Sequence, residues 1–169
     1  RHMAENVDNM LIANSFSKNF GIYRERCGGL SIMAESADEA NAAFSIVGQA
    51  IRANYSMPPS HGAAVVHTIM TSPELKAEWK EEVAQMRDRI NGLRAKLVAK
   101  LAASGVSKDF SFIQDQRGMF SYSGLTLEQV RTLRSEYAIY IADTGRMSIA
   151  GVSDDNIDYL CESIAKVVG

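Results

Sequence analysis

Apolar residues recur at steps of three and four through the middle of the chain, and this is its most regular pattern. The spacing predicts one amphipathic helix of about eight turns. Ser72 suits its N-cap, Pro73 its first helical position and Gly105 the position after its end. The other faces are charged, so the apolar stripe is either a coiled-coil seam or the packed side of a helix that connects two domains. The stripe consists of Leu75, Trp79, Val83, Met86, Ile90, Leu93, Leu97 and Leu101.

Two strands and two further helices are predicted before this long helix. Residues 10–13 form a short apolar run typical of a buried strand. Residues 27–34 predict a second strand, whose glycines indicate a bend or a close approach of backbone. Ser36 and Glu39 form a capping box that opens a helix ending near Arg52. A pair of prolines breaks that helix, and another helix follows the pair.

Short elements follow the long helix and predict a small α+β module, a sheet with helices on one face. Thr126 and Gln129 form a second capping box, and Ser153 caps a last helix. The predicted strands span 110–113, 119–122, 138–142 and 147–150, the last two as a hairpin.

Composition excludes several classes of protein. The 169 residues are 46% hydrophobic and 22% charged, with a net charge of -2. This balance is ordinary for a globular protein and argues against a nucleic-acid partner, and no apolar run is long enough to cross a membrane. Cys27 and Cys161 are far apart and indicate reduced thiols of an intracellular protein. His61 and His67 do not share a helical face, so no metal site is expected.

Candidate chemistry concentrates in residues 14–26, directly after the first predicted strand. A lysine placed there, Lys18, is expected to lose water, and burial lowers a lysine's pKa. A neutral amine is a nucleophile that forms a Schiff base with an aldehyde. Ser15, Ser17 and Arg26 are suited to hold a phosphate nearby. Together these residues describe a pyridoxal 5'-phosphate (PLP) site, and the alternative is a surface lysine at a strand end.

Four segments carry a family resemblance: SFSKNFGIYRER at 15–26, AIRANYSMPP at 50–59, GMFS at 118–121 and GRMSIAG at 145–151. They resemble the class I PLP-dependent aminotransferases, and the aspartate and aromatic (tyrosine) subgroup most closely. The resemblance implies an α/β fold, namely the C-terminal part of a PLP-dependent transferase of fold type I. It implies the end of the large PLP-binding domain at 1–71, a long connecting helix at 72–104 and a small C-terminal α+β domain at 105–169.

The resemblance also implies roles for individual residues. Lys18 is the catalytic lysine that carries PLP as a Schiff base, and Tyr55 contacts the cofactor phosphate of the partner subunit. Arg146 clamps the substrate α-carboxylate, and Arg52 reaches across a dimer interface to the distal carboxylate of aspartate or glutamate. Phe120 lines the substrate pocket.

Each of these residues has a plainer interpretation. Arg52 suits the end of a helix, where a cation complements the helix dipole, and Arg146 suits a strand end. Tyr55 is also typical of an interface or a core, and Phe120 of a core. Met57 stands where the resemblance leads us to expect asparagine in an aspartate-specific enzyme. This departure leaves room for aromatic substrates.

The predicted function is therefore transfer of an amino group between an L-amino acid, aspartate or glutamate and also aromatic amino acids, and a 2-oxo acid. The resemblance implies a homodimer. The family places an aspartate, a tyrosine, a stacking aromatic and a glycine-rich turn upstream of the lysine, so we expect this chain alone to be inactive. A cytoplasmic location is expected, with the mitochondrion open. Two alternatives are a non-catalytic self-associating α+β module and a decarboxylase or lyase of the same fold.

Overall fold

A computed structural model describes residues 2–169, which divide into two compact units, one ending at Glu81 and one running from Glu82 to Gly169. The boundary falls within the longest helix. The three-part division at 71 and 104 stays a prediction. No helix among the described residues has both the length and the apolar character that a bilayer requires.

The first unit begins with an antiparallel pair of strands, β1 (Met10–Ser15) and β2 (Gly28–Met33), in a register that sets Met10 opposite Met33 and Ser15 opposite Gly28. Both strands lie where the sequence predicts them. A Cβ on Gly28 would approach the Asn14 carbonyl oxygen to 2.3 Å, so the predicted close backbone approach is confirmed.

The expectation that the first strand is buried is wrong. Leu11 is 64% exposed and Ile12 is 39% exposed. The β1–β2 sheet has two strands. Within residues 2–81 no packed layer removes these side chains from water, although their apolar character is typical of an interior strand.

Three helices follow: α1 (Ala37–Asn54), α2 (His61–Thr71) and α3 (Pro73–Ala103). Ser36 Oγ accepts a hydrogen bond from the Glu39 N–H at 3.2 Å, which forms the serine half of the predicted capping box. Ser72 Oγ accepts from the Leu75 N–H at 3.3 Å, so the long helix begins as predicted. The apolar stripe of α3 is buried only in the second half of the helix. Met86 is 47% exposed, whereas Leu97 is fully buried.

The second unit contains the buried core. The remainder of α3 packs with α5 (Leu127–Tyr137), α6 (Ile157–Val168) and a second antiparallel pair, β3 (Phe120–Tyr122) and β4 (Arg146–Ser148). Thr126 and Gln129 make both halves of the predicted capping box. The core consists of Leu93, Leu97, Leu101, Phe110, Ile113, Leu125, Val130, Leu133, Met147, Ile149, Val152, Ile157, Cys161 and Ile164.

Two predicted strands of this unit are wrong. Residues 110–113 lead instead into a short helix, α4 (Phe112–Asp115). The Asp109 carboxylate accepts a hydrogen bond from the Ser111 N–H at 2.8 Å, which favours a turn over an extended chain.

The predicted hairpin of 138–142 with 147–150 is also absent. Ala138 adopts a left-handed conformation at the end of α5, and the Ile139 N–H bonds to the Leu133 carbonyl oxygen. The chain there closes a helix rather than forming a strand. β4 pairs with β3, so that Phe120 lies opposite Ser148 and Tyr122 opposite Arg146.

Candidate active site

Lys18 lies on the loop that joins β1 to β2. The Phe16 N–H donates to the Cys27 carbonyl oxygen at 3.0 Å, which continues the strand pairing into the loop. The Lys18 side chain is exposed, and its amine lies 5.1 Å from the centroid of the Tyr23 ring. The burial expected for this amine is therefore absent in this chain, because no element within residues 2–81 packs over it.

The two predicted serines lie beside Lys18. Their hydroxyl oxygens are 3.0 Å apart, and the Ser17 N–H donates to Ser15 Oγ at 3.2 Å. Ser17 is only 2% exposed, whereas Ser15 lies at the exposed end of β1. This short turn fixes two hydroxyls on the same segment as the amine.

Arg26 closes the same loop from its other end. It has a left-handed backbone with φ 51°, and its guanidinium donates to the Tyr23 carbonyl oxygen at 2.9 Å. The side chain is exposed and makes no ion pair with residues 2–169. Most of its N–H donors are therefore unused by this chain.

The groups on this loop fit PLP. An exposed amine suits an aldehyde, while paired hydroxyls and a guanidinium with unused donors suit a phosphate. Lys18, Ser15, Ser17 and Arg26 all lie on one connection between adjacent strands.

Arg52 and Tyr55 lie together at the end of α1. Arg52 occupies the last turn, and Tyr55 is the C-cap residue. Both are exposed, and neither side chain makes a hydrogen bond, ion pair or ring contact with the described residues 2–169. Tyr55 is therefore not a core residue of this unit.

Arg146 and Phe120 are brought together in the second unit. The Arg146 guanidinium carbon lies 4.9 Å from the centroid of the Phe120 ring, a cation–π contact. Both residues lie on the exposed face of the β3–β4 pair, whose other face carries the buried Ser121 and Met147. Phe120 is 40% exposed, so the core interpretation of this side chain is wrong.

One charged residue beside this pair was missed in the sequence. Arg94 is only 1% exposed and donates to the Gly118 carbonyl oxygen at 2.6 Å and to Ser121 Oγ at 3.2 Å. Burial, followed by the charge of Arg117, lowers the pKa of Arg94. It holds both ends of the segment that presents Phe120. A cation three residues before Leu97 on an apolar helix face is the signal that would have found it.

The histidines and cysteines considered in the sequence do not form a binding or catalytic site among residues 2–169. Among residues 2–169 no group of three or more His, Cys, Asp or Glu is placed to hold a metal ion. His61 Nδ1 lies 3.0 Å from the Glu25 carboxylate. Cys27 and Cys161 are free thiols, and burial raises the pKa of Cys161 to about 11, so this thiol is not an activated nucleophile.

Comparison with known proteins places these features in one family. The family model described as aminotransferase class I and II matches residues 1–164. The chain is 48% identical over 168 residues to an aspartate aminotransferase of Haemophilus influenzae. The alignment covers 99% of this chain and 42% of that relative. The chain therefore spans less than half the length of the curated relative it matches.

Solved structures agree with this match. A mitochondrial aspartate aminotransferase from Trypanosoma brucei superposes with a TM-score of 0.91 at 45% identity, over 100% of this chain and 44% of that one. An aromatic-amino-acid aminotransferase from Burkholderia pseudomallei, covalently bound to pyridoxal phosphate, superposes with a TM-score of 0.89 at 48% identity, over 99% and 42%. The predicted fold, a part of the type I PLP-dependent transferase fold, is confirmed.

Proposed function

Because this chain belongs to the class I and II aminotransferases, we propose that the whole protein transfers an amino group between an L-amino acid and a 2-oxo acid with PLP as cofactor. The observation that carries the proposal is the loop between β1 and β2, which presents one exposed amine with two paired hydroxyls and a guanidinium. A purely self-associating module has no need of this set. We propose a cytoplasmic or mitochondrial location, because both cysteines are free thiols and reduced thiols are typical of intracellular proteins.

Lys18 is the catalytic residue in this proposal. PLP, when bound, supplies an aldehyde for the lysine and an electron sink that makes the α-proton of an amino acid acidic. After the incoming amino acid has replaced it on the aldehyde, the freed Lys18 amine would take the proton from the α-carbon as general base. As general acid it would then give that proton to the cofactor carbon that bears the amino nitrogen. Ser15, Ser17 and Arg26 hold the phosphate.

Two arginines recognise the substrate. Arg146 holds the α-carboxylate, and Phe120, whose face it covers, packs against the substrate side chain. Arg52 takes the distal carboxylate of aspartate or glutamate. An enzyme that expels a carboxylate should not hold it with its best anion fork, so the arginines argue against a decarboxylase.

A homodimer supplies Arg52 and Tyr55 to the partner's site in this proposal. Both side chains are exposed at the end of α1 and have no partner among residues 2–169, as a residue that acts across an interface requires. The chain covers only 42% of the length of the aspartate aminotransferase of Haemophilus influenzae. We therefore propose that residues 1–169 alone do not transaminate.

The first test is borohydride reduction of the purified whole protein with PLP, followed by peptide mass mapping. We expect a reduced phosphopyridoxyl adduct on Lys18 and loss of both adduct and turnover in Lys18→Ala. Lys80→Ala, which removes an exposed lysine of α3, is the matched control and should behave as wild type. Turnover near the wild-type level in Lys18→Ala would disprove the catalytic assignment.

Substrate specificity is tested at the arginines. Arg146→Leu should raise KM for every amino acid, because all carry an α-carboxylate. Arg52→Leu should impair aspartate and glutamate much more than tyrosine and phenylalanine. Equal losses for both substrate classes would contradict the role of Arg52.

A further inference from the structure

Trp79 joins the start of α3 to the loop that carries Lys18. Its indole Nε1–H donates to the carbonyl oxygen of Asn19 at 2.7 Å, across 60 positions of sequence. Asn19 directly follows Lys18, so this bond holds the Asn19–Phe20 peptide unit, which begins one residue after the lysine. Trp79 is half-buried and is the one tryptophan of the chain.

Aromatic contacts extend this attachment to both sides of Lys18. The Trp79 ring stacks on Phe20 with centroids 4.8 Å apart and an interplanar angle of 15°. Phe20 in turn meets the edge of Phe16 at 5.6 Å. Phe16 and Phe20, which lie two residues before and two residues after Lys18, are therefore packed in one aromatic cluster with Trp79. The Lys18 side chain itself stays exposed.

Two backbone hydrogen bonds also restrain the loop around Lys18, and in one of them the Phe20 N–H donates to the Phe16 carbonyl oxygen at 3.2 Å. Gly21 adopts φ +67°, and its N–H reaches the Lys18 carbonyl oxygen at a long 3.3 Å. Asn19 Oδ1 is buried without a hydrogen-bond partner among the described residues, a cost that favours opening of the loop. The contacts of Trp79 oppose that opening, because rotation of Asn19 would break the indole bond.

We propose that Trp79 is a positioning residue for Lys18: its indole N–H fixes the Asn19 carbonyl and so the direction in which the loop presents the lysine amine. This inference rests on the catalytic role proposed for Lys18. A general base must lie within hydrogen-bond reach of the proton it takes, so a small rotation of the loop lowers the rate without affecting carboxylate binding.

The experiment uses Trp79→Phe in the whole protein, because phenylalanine retains a ring that stacks on Phe20 but lacks the N–H donor. Leu75→Ala, one turn earlier on the same helix and 38% exposed in the native chain, is the matched control. We expect kcat to fall roughly 10- to 100-fold in Trp79→Phe, with KM for amino acids unchanged. If Trp79→Phe acted only by destabilising the fold, it would reduce the amount of active protein, and Leu75→Ala would have a similar effect.

Hydrogen exchange of peptides covering residues 14–26 gives a second readout that does not depend on activity. Faster exchange there in Trp79→Phe but not in Leu75→Ala supports the proposal. Wild-type kcat or wild-type exchange in Trp79→Phe overturns it. If the wild-type protein carries no adduct on Lys18, the proposed function itself fails. An adduct on Lys18 together with unchanged kinetics in Trp79→Phe removes only the role of Trp79.

Discussion

The two units of this chain form helices and strands equally well but differ in what they bury. Every hydrophobic residue that is buried lies between Leu93 and Ile164, in the second unit. Within residues 2–81 only Ser17 and Gly62 are buried. Large apolar side chains there face solvent instead, with Leu11 64%, Phe44 70% and Met57 87% exposed.

The difference in burial between the two units shows that well-formed local structure does not by itself make a unit stable. Caps, periodicity and turns are satisfied in both units, but burial of apolar surface supplies most of the free energy of folding. The second unit therefore has the means to fold by itself, whereas the first presents apolar surface of the kind that another protein surface covers. The proposed cofactor residues lie on the unit without a core, and the Arg146–Phe120 pair lies on the unit with one.

The largest expected effect is an all-or-none difference between two halves expressed separately. Residues 73–169 should unfold in one cooperative thermal transition, because they keep α3 and the whole core. Residues 1–72 should show no cooperative transition by near-ultraviolet circular dichroism. Cooperative melting of residues 1–72 alone would contradict the comparison.

Truncation of one leucine in each unit measures the same contrast. Leu97→Ala removes a fully buried side chain and should lower the free energy of unfolding by about 2–5 kcal/mol. Leu11→Ala, 64% exposed on β1, should change it by less than about 0.5 kcal/mol. Urea denaturation of the 169-residue chain measures both, and similar losses would show that β1 is packed in solution.

Arg94 tests whether the core depends on a buried cation. Arg94→Met leaves the Gly118 carbonyl and the buried Ser121 hydroxyl without their donor and should cost about 1–3 kcal/mol. Arg87→Met, on the same helix, breaks only an exposed pair with Asp88 and should cost little. Equal stability of the two variants in urea would exclude a structural role for Arg94.

The smallest effect comes from two matched helix caps. Ser36 and Thr126 each accept a hydrogen bond from the third residue of the following helix at 3.2 Å. Thr126→Ala should lower the cooperative free energy of unfolding by about 1 kcal/mol. Ser36→Ala should leave that transition unchanged, because α1 lies in the unit without a core. A shift of the same size in Ser36→Ala would show that both units unfold together.

Prediction from sequence succeeded where a local rule decides the structure. The helix start at Ser72 and Pro73 and the capping box at Thr126 each depend on a few neighbouring residues. The family resemblance also rests on short local motifs, and the matches to solved aminotransferases confirm it.

Prediction failed where a distant partner decides. Residues 138–142 are apolar enough for a strand, yet β4 pairs with β3 and the end of α5 uses Ala138 as a left-handed cap. Arg94 is a helix former like its neighbours, and only packing against the 118–121 segment makes it a buried hydrogen-bond donor. The burial expected at Lys18 failed for the same reason, because it requires surface that residues 2–81 do not supply.

The sequence by itself determined the long helices, the caps at Ser36, Ser72 and Thr126, and the family, since each follows from short-range hydrogen bonding or from a contiguous motif. Only the tertiary structure decided which apolar residues are buried, which strands pair and which side chains meet, as Trp79 meets Asn19 and Arg146 meets Phe120. The physical reason is that burial and pairing depend on residues far apart in sequence, and periodicity specifies a face without specifying what covers it.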